Sequence, residues 1–210
     1  MFNFTAITEA LIACDQDKVL ELVEAGLRQA VPAKDLLDLG LIAGMDVIGE
    51  RMEKEEMFIP EVLMAAMVMS AAVDLLKPRL AEGEVGAKGK VVIGTVKGDL
   101  HDIGKNLVAM MLKSAGLEVH NIGVDIAPER FVEEIKVKKA DILALSALLT
   151  TTMPMMRETV AAVVEAGVRN QVKILVGGAP VTQAFADEIG ADGYAADAGS
   201  ATKLVKSLLP

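Results

Sequence analysis

The sequence predicts a two-part chain: an N-terminal four-helix bundle, then an α/β domain with a five-stranded parallel sheet. Three observations predict it. Up to about residue 80 the apolar side chains recur every three or four positions, the signature of helices packed by one face. Residues 81–89 then carry three glycines, two acids and little bulk, the composition of a linker. Beyond them short apolar runs alternate with helical patterns, which implies parallel strands joined by right-handed crossovers. The expected boundaries are 1–85 for the bundle and 89–210 for the α/β domain.

Within the bundle, a short helix is expected at residues 4–13. Asp15 or Asp17 can cap a second, with Val19, Leu22, Val23, Leu27 and Ala30 on one face. Val31-Pro32 interrupts it, because proline suits the start of a helix better than its interior. A third helix sets Leu37, Leu41, Met45, Ile48 and Met52 at spacings of four, four, three and four. After Glu53-Lys54-Glu55-Glu56, Pro60 opens the fourth, with Val62, Ala66, Met69, Val73 and Leu76 in one stripe.

In the second part the strand candidates are Lys90–Val96, Glu118–Ile122, Asp141–Ser146, Lys173–Val176 and Gly193–Ala195. Helices are expected at 103–115, 128–139, 153–166, 181–189 and 199–208. Ile142-Leu143-Ala144-Leu145 is continuously apolar, as a strand covered on both faces must be. The expected topology is Rossmann-like and flavodoxin-type, with strand order 2-1-3-4-5.

Composition narrows the functional classes. A hydrophobic content of 52% with 24% charged residues is that of a globular chain. A formal net charge of −9 argues against a nucleic-acid partner, which needs a basic face. Met1-Phe2-Asn3-Phe4 lacks the cationic start of a secretory leader, and the apolar stretch Val62–Val73 is too short for a membrane span. Cys14 is the only cysteine, so an internal disulfide and a cysteine-ligated cluster are excluded. No nucleic acid, no membrane and a cytoplasmic location are the expectations.

The most informative segment is Gly94-Thr95-Val96-Lys97-Gly98-Asp99-Leu100-His101-Asp102-Ile103-Gly104-Lys105-Asn106. It joins the first strand to its helix, the corner where open α/β sheets bind ligands. It is not a phosphate loop: five residues separate Gly98 from Gly104-Lys105 where four are required, and Asn106 stands where a magnesium-binding hydroxyl would be. Nor does it carry the Gly-x-Gly-x-x-Gly of a dinucleotide fold. It holds a histidine two residues after an aspartate. An imidazole binds a metal through one nitrogen, and a carboxylate on the other fixes the tautomer and raises basicity. His120, the other histidine, lies inside a strand pattern and reads as structural.

Asp99-x-His101-x-x-Gly104 resembles the signature of cobalamin-binding modules in corrinoid methyltransferases and B12-dependent mutases. Ser146-Ala147-Leu148 matches that family's Ser-x-Leu after 41 residues, and Gly177-Gly178 matches its Gly-Gly after a further 28. The bundle is similar to the helical cap of the methyl-transfer branch, through Met57-Phe58-Ile59-Pro60-Glu61-Val62-Leu63. The resemblance implies a cobamide bound with its own base off and His101 on cobalt, Asp99 bonded to His101, and Thr152 completing the relay. It implies cofactor contacts from Gly94, Gly98, Asp99, His101, Asp102, Ile103, Gly104, Ser146, Leu148, Thr150, Gly177 and Gly178. Met52, Ile59 and Val62 would be the cap contacts; Met52 stands where methionine synthase has an aromatic residue.

The family's chemistry further implies a small methyl carrier whose Co(I) cobalt takes a methyl group from a substrate-specific methyltransferase. A second methyltransferase passes it to a thiol or tetrahydrofolate, and a reductive activase restores the cofactor. No residues remain for a catalytic barrel, which needs roughly 250, so the chain is expected to act as a carrier subunit. The alternatives are a B12-binding subunit of an adenosylcobalamin mutase and a B12-dependent sensor.

Overall fold

The computed structural model describes residues 2–79 and 89–209, which divide into two compact units. The linker expected at 81–89 lies outside the described residues except for Gly89. The helical unit begins with α1 (Phe4–Ile12) and α2 (Gln16–Arg28). Asp15 caps α2 by accepting the Lys18 N–H at 3.0 Å, which settles the choice between Asp15 and Asp17. Ile7, Leu11, Val19 and Val23 are buried between these helices, and removing each from water contributes about 1.5–3 kcal/mol.

The third helical rod differs from its expected form. It starts as α3 (Ala33–Asp35), widens into a π-helical stretch over Leu36–Ile42, and continues as α4 (Ala43–Glu53). Leu36 rather than Leu37 is the buried residue, five positions before Leu41, because a π turn repeats every five residues or so. From Leu41 the expected stripe resumes through Met45 and Ile48. In the π stretch Gly40 lies against Ile7, and its carbonyl accepts the Thr8 hydroxyl at 2.9 Å.

The fourth rod, α5 (Ile59–Leu76), opens with Pro60, and Glu61 reaches back to accept the Phe58 N–H at 2.9 Å. Among the described residues the helical stretch Ile59–Arg79 is long and apolar enough to cross a membrane. Its Val62, Ala65, Ala66, Val68, Met69, Ala72 and Leu76 are buried in the bundle, while Ile59, Met64 and Met67 are exposed.

The second unit is a parallel sheet in the order β2-β1-β3-β4-β5, as the sequence predicts. Its strands are β1 (Lys90–Thr95), β2 (Glu118–Asn121), β3 (Ile142–Ser146), β4 (Lys173–Gly177) and β5 (Gly193–Ala195). Five helices follow them: α6 (Ile103–Ser114), α7 (Pro128–Lys138), α8 (Met153–Glu165), α9 (Gln183–Ile189) and α10 (Ala198–Leu208). Each face of the sheet buries its own apolar layer. Val92, Leu143, Leu145, Ile174 and Val176 pack with Phe131, Met156 and Val160. Val91, Ile93, Ile142, Ala144 and Leu175 pack with Leu112 and Val205. The register sets Thr95 beside Ser146 and Ser146 beside Gly177, so the C-terminal ends of β1, β3 and β4 form one rim.

Candidate functional site

That rim carries the site. β1 ends at Thr95, Val96 makes a single bridge to Ile126, and the chain turns through Lys97-Gly98 before α6 begins at Ile103. Gly98 has φ +82°, a left-handed backbone that costs a side-chain-bearing residue about 1–2 kcal/mol. The turn drives Asp99 into the protein and lifts His101 out of it. Asp99 is fully buried, whereas the His101 side chain is 51% exposed.

A buried carboxylate must be hydrogen-bonded on every side, and this one is. Asp99 Oδ1 lies 2.7 Å from His101 Nδ1 and accepts the His101 N–H at 3.1 Å. Oδ2 accepts the Leu148 N–H at 2.8 Å, the Leu149 N–H at 3.3 Å and the Thr152 hydroxyl at 2.8 Å. Burial pushes the carboxyl pKa up. The bonds from the Leu148 N–H, the His101 ring and N–H, and the Thr152 hydroxyl outweigh it, and hold Asp99 well below the usual carboxylate range. With Asp99 ionised, His101 donates from Nδ1, and in the neutral ring Nε2 carries the lone pair. The arrangement is an oriented imidazole with an outward-facing donor nitrogen, the form in which histidine ligates metals.

Asp102 and Asn106 start α6: Asp102 Oδ2 accepts the Asn106 amide at 2.9 Å. The adjacent Lys105 is buried and bonds the side-chain oxygens of Asn106 and Asn121 at 2.8 and 2.7 Å; burial lowers its pKa, against the pull of Asp102. Leu100 and Ile103 stand out at 72% and 78% exposure. Leu148 and Leu149 are also exposed, so the two loops that meet at Asp99 both carry apolar surface. Thr150 is exposed in the turn before α8. No protein atom lies within 4 Å of where a side chain on Gly104 would begin.

Ser146, Gly177 and Gly178 lie together where β3 and β4 end on the rim. Ser146 is half-buried at the end of β3. Gly178 has φ +135°, and a Cβ there would meet the Ala147 carbonyl oxygen at 1.9 Å, so no other residue fits. Gly177 is similarly closed: a Cβ on it would meet the Ala195 carbonyl oxygen at 2.9 Å.

Two of the expected contact positions are packed against protein atoms. A Cβ on Gly94 would meet Phe131 at 2.7 Å and Ile122 at 2.9 Å, so this glycine makes room for the core. Val62 is fully buried among the bundle helices, its side chain committed to holding them together. Of the other cap positions, Ile59 is exposed and Met52 half-buried, while Phe58, Met64 and Met67 are exposed on or beside α5.

Three participants escaped the sequence reading. The Leu149 N–H leaves no signal, since any residue but proline supplies one. Thr95, a buried hydroxyl ending an apolar strand, and Asp125, an acid between Val124 and Ile126, were legible as exceptions to their surroundings.

Comparison with known proteins decides the family. Two family models, each described as a B12 binding domain, match residues 4–77 and 89–203. The chain belongs to the B12-binding corrinoid proteins. It is 46% identical to dimethylamine corrinoid protein 3 of Methanosarcina acetivorans over 203 residues, covering 97% of this chain and 95% of that one. A cobalamin-binding protein from Desulfitobacterium hafniense shares the fold with a TM-score of 0.87 at 32% identity, each chain covered completely. The methanol:cobalamin methyltransferase complex MtaBC from Methanosarcina barkeri matches with a TM-score of 0.83 at 29% identity, over 98% of this chain and 78% of that one.

The cofactor of this family is a corrinoid, and the donor set suits it. Among the described residues no three His, Cys, Asp or Glu gather into a metal cluster. A structural zinc ion takes about four protein ligands. A single oriented imidazole instead suits a metal that brings its equatorial ligands in a macrocycle, as a proximal histidine serves haem iron.

Proposed function

We propose that this corrinoid protein binds a cobamide with the nucleotide base displaced and His101 in its place, and carries a methyl group between two methyltransferases. The observation that carries the reading is the Thr152–Asp99–His101 relay, on the same rim as the ends of β3 and β4 that carry Ser146 and Gly177. When bound, the cofactor supplies a cobalt centre that accepts a methyl group and releases it.

The protein's own residues do the rest. His101 offers a lone pair from Nε2, while Asp99 keeps the ring proton on Nδ1 and counters positive charge building on the imidazole. Thr152 and the Leu148 and Leu149 N–H groups hold Asp99 ionised and still. Leu100, Ile103, Leu148 and Leu149 offer apolar surface to the macrocycle, with Gly98, Asp102, Gly104 and Thr150 around the same loops. Ser146, Gly177 and Gly178 accept the displaced nucleotide tail.

The helical unit, residues 1–85, serves as a cap that excludes water from the reactive face, with Ile59 and Met52 as contacts. The B12 unit spans 89–210. The partners are a substrate-specific methyltransferase, a second one with a thiol or tetrahydrofolate acceptor, and a reductive activase, all in the cytoplasm. Because curated relatives are named dimethylamine corrinoid proteins, methylated amines are the donors to assay first.

The test is electron paramagnetic resonance of the protein reconstituted with cobalamin and poised as Co(II). Nitrogen coupling from a histidine is expected, retained with a cobamide lacking the base and lost in His101→Ala. Coupling that survives that substitution refutes the assignment.

A further inference from the structure

The Asp99 relay fixes the ring of His101 but does not by itself fix where that ring stands. The main chain of the ligand loop is held from two other points. Thr95, fully buried at the end of β1, donates its hydroxyl to the His101 carbonyl at 2.8 Å. Asp125 accepts the Gly98 N–H on its carboxylate at 2.7 Å and returns its own N–H to the Asp99 carbonyl at 3.0 Å. The two points belong to one frame. Thr95 donates its N–H to the Gly123 carbonyl and accepts the Ile126 N–H, both at 3.0 Å, so residues 123–126 brace Thr95 and carry Asp125.

Ordinary packing does not account for either residue. A fully buried strand position favours valine over its isostere threonine, because burying a hydroxyl costs about 1–3 kcal/mol unless it is bonded. Asp125 is exposed, so no packing role requires it, and its left-handed backbone, φ +55°, is one that aspartate tolerates. Both are spent on the same four-residue loop. Thr95 also stands in direct register with Ser146, and thus ties the loop bearing His101 to the end of β3.

We infer that Thr95 and Asp125 are positioning residues for His101, setting where its Nε2 stands relative to the ends of β3 and β4 at Ser146 and Gly177. The inference rests on the reading that His101 coordinates cobalt. Their frame keeps the ligated state favourable: a loop free to relax would spread Nε2 over many positions, and the cofactor would lose its protein ligand for part of the time.

The test uses the full chain reconstituted with cobalamin, in Thr95→Val, Thr95→Ser, Asp125→Ala and Asp125→Asn. Thr95→Val and Asp125→Ala are expected to reduce the ratio of His-ligated to unligated Co(II), read from nitrogen coupling, by about tenfold, the lower end of effects from groups that orient a ligand. For a one-electron couple, tenfold corresponds to about 59 mV, here a rise in the Co(II)/Co(I) midpoint because histidine favours Co(II). Thr95→Ser and Asp125→Asn, which keep the hydroxyl and the acceptor oxygen, are expected to restore both readouts. If wild-type protein lacks histidine coupling, the coordination reading itself fails. If wild type shows coupling and Thr95→Val and Asp125→Ala match it in coupling and midpoint, the positioning role is overturned, whatever their melting temperatures. Should Thr95→Val not fold, the exposed Asp125 pair decides alone.

Discussion

Asp99→Asn is the most searching perturbation of this site, because the structure dictates which way the amide must turn. The Asp99 carboxylate receives five donors: three at Oδ2 and two at Oδ1. An asparagine can offer one oxygen and one NH2. With its NH2 toward Leu148 and Leu149, it opposes two main-chain N–H groups that cannot reverse, each costing about 1–3 kcal/mol. With its NH2 toward His101, it opposes one such N–H, and the ring can comply by accepting at Nδ1. The second orientation is favoured, and it moves the imidazole proton to Nε2, where the metal lone pair was. Losing the orienting carboxylate is expected to weaken histidine ligation about 10–100-fold. At 1.36 kcal/mol per decade that is about 1.4–2.7 kcal/mol. Cobamide retention should change little, since Ser146, Gly177 and Gly178 are untouched. The assay pairs retention on gel filtration with the Co(II)/Co(I) midpoint and the nitrogen coupling of Co(II). An unchanged midpoint and coupling would refute the role given to the carboxylate.

Three further outcomes follow from the same geometry. Gly104→Val, whose side chain meets no protein atom within 4 Å at its Cβ, is expected to leave the melting temperature of the free protein unchanged while weakening cobalamin binding; equal binding would mean that the space beside Gly104 is not used by the cofactor. The depressed Asp99 pKa contributes stability that is complete above the unfolded value near 4 and declines as pH falls through the lower folded value. The stability advantage of wild type over Asp99→Asn should therefore shrink as pH falls below about 4, and a difference that grows over that range would contradict the sign. Removing residues 1–85 is expected to preserve cobalamin binding but speed photolysis of bound methylcobalamin and oxidation of the reduced form. Equal decay rates in full-length and truncated protein would count against a capping role for the bundle.

Strand order, a helix start at Asp15 or Asp17, another at Pro60, and the corner at which the ligand residues meet were all readable along the chain. Each depends on a local or periodic signal: continuous apolar runs for buried parallel strands, a proline at a helix start, a glycine where the chain turns left-handed. Asp99, His101 and Thr152 could be named together only because their spacing resembles a family motif; the distances that join them across 53 positions come from β1 and β3 lying side by side. Other features came into being only on folding. The π turn in the third rod moved burial from Leu37 to Leu36, because Leu41 had to meet the same core one residue further round. Gly94 proved to be a space for Phe131, and Val62 a bundle contact, since a small or apolar residue reads the same whether it faces a ligand or a neighbour. The Thr95 hydroxyl stood out in its apolar strand, but only the folded chain aims it at the His101 carbonyl. The N–H groups of Leu148 and Leu149 are backbone atoms that every residue but proline carries, so no side-chain pattern could announce them.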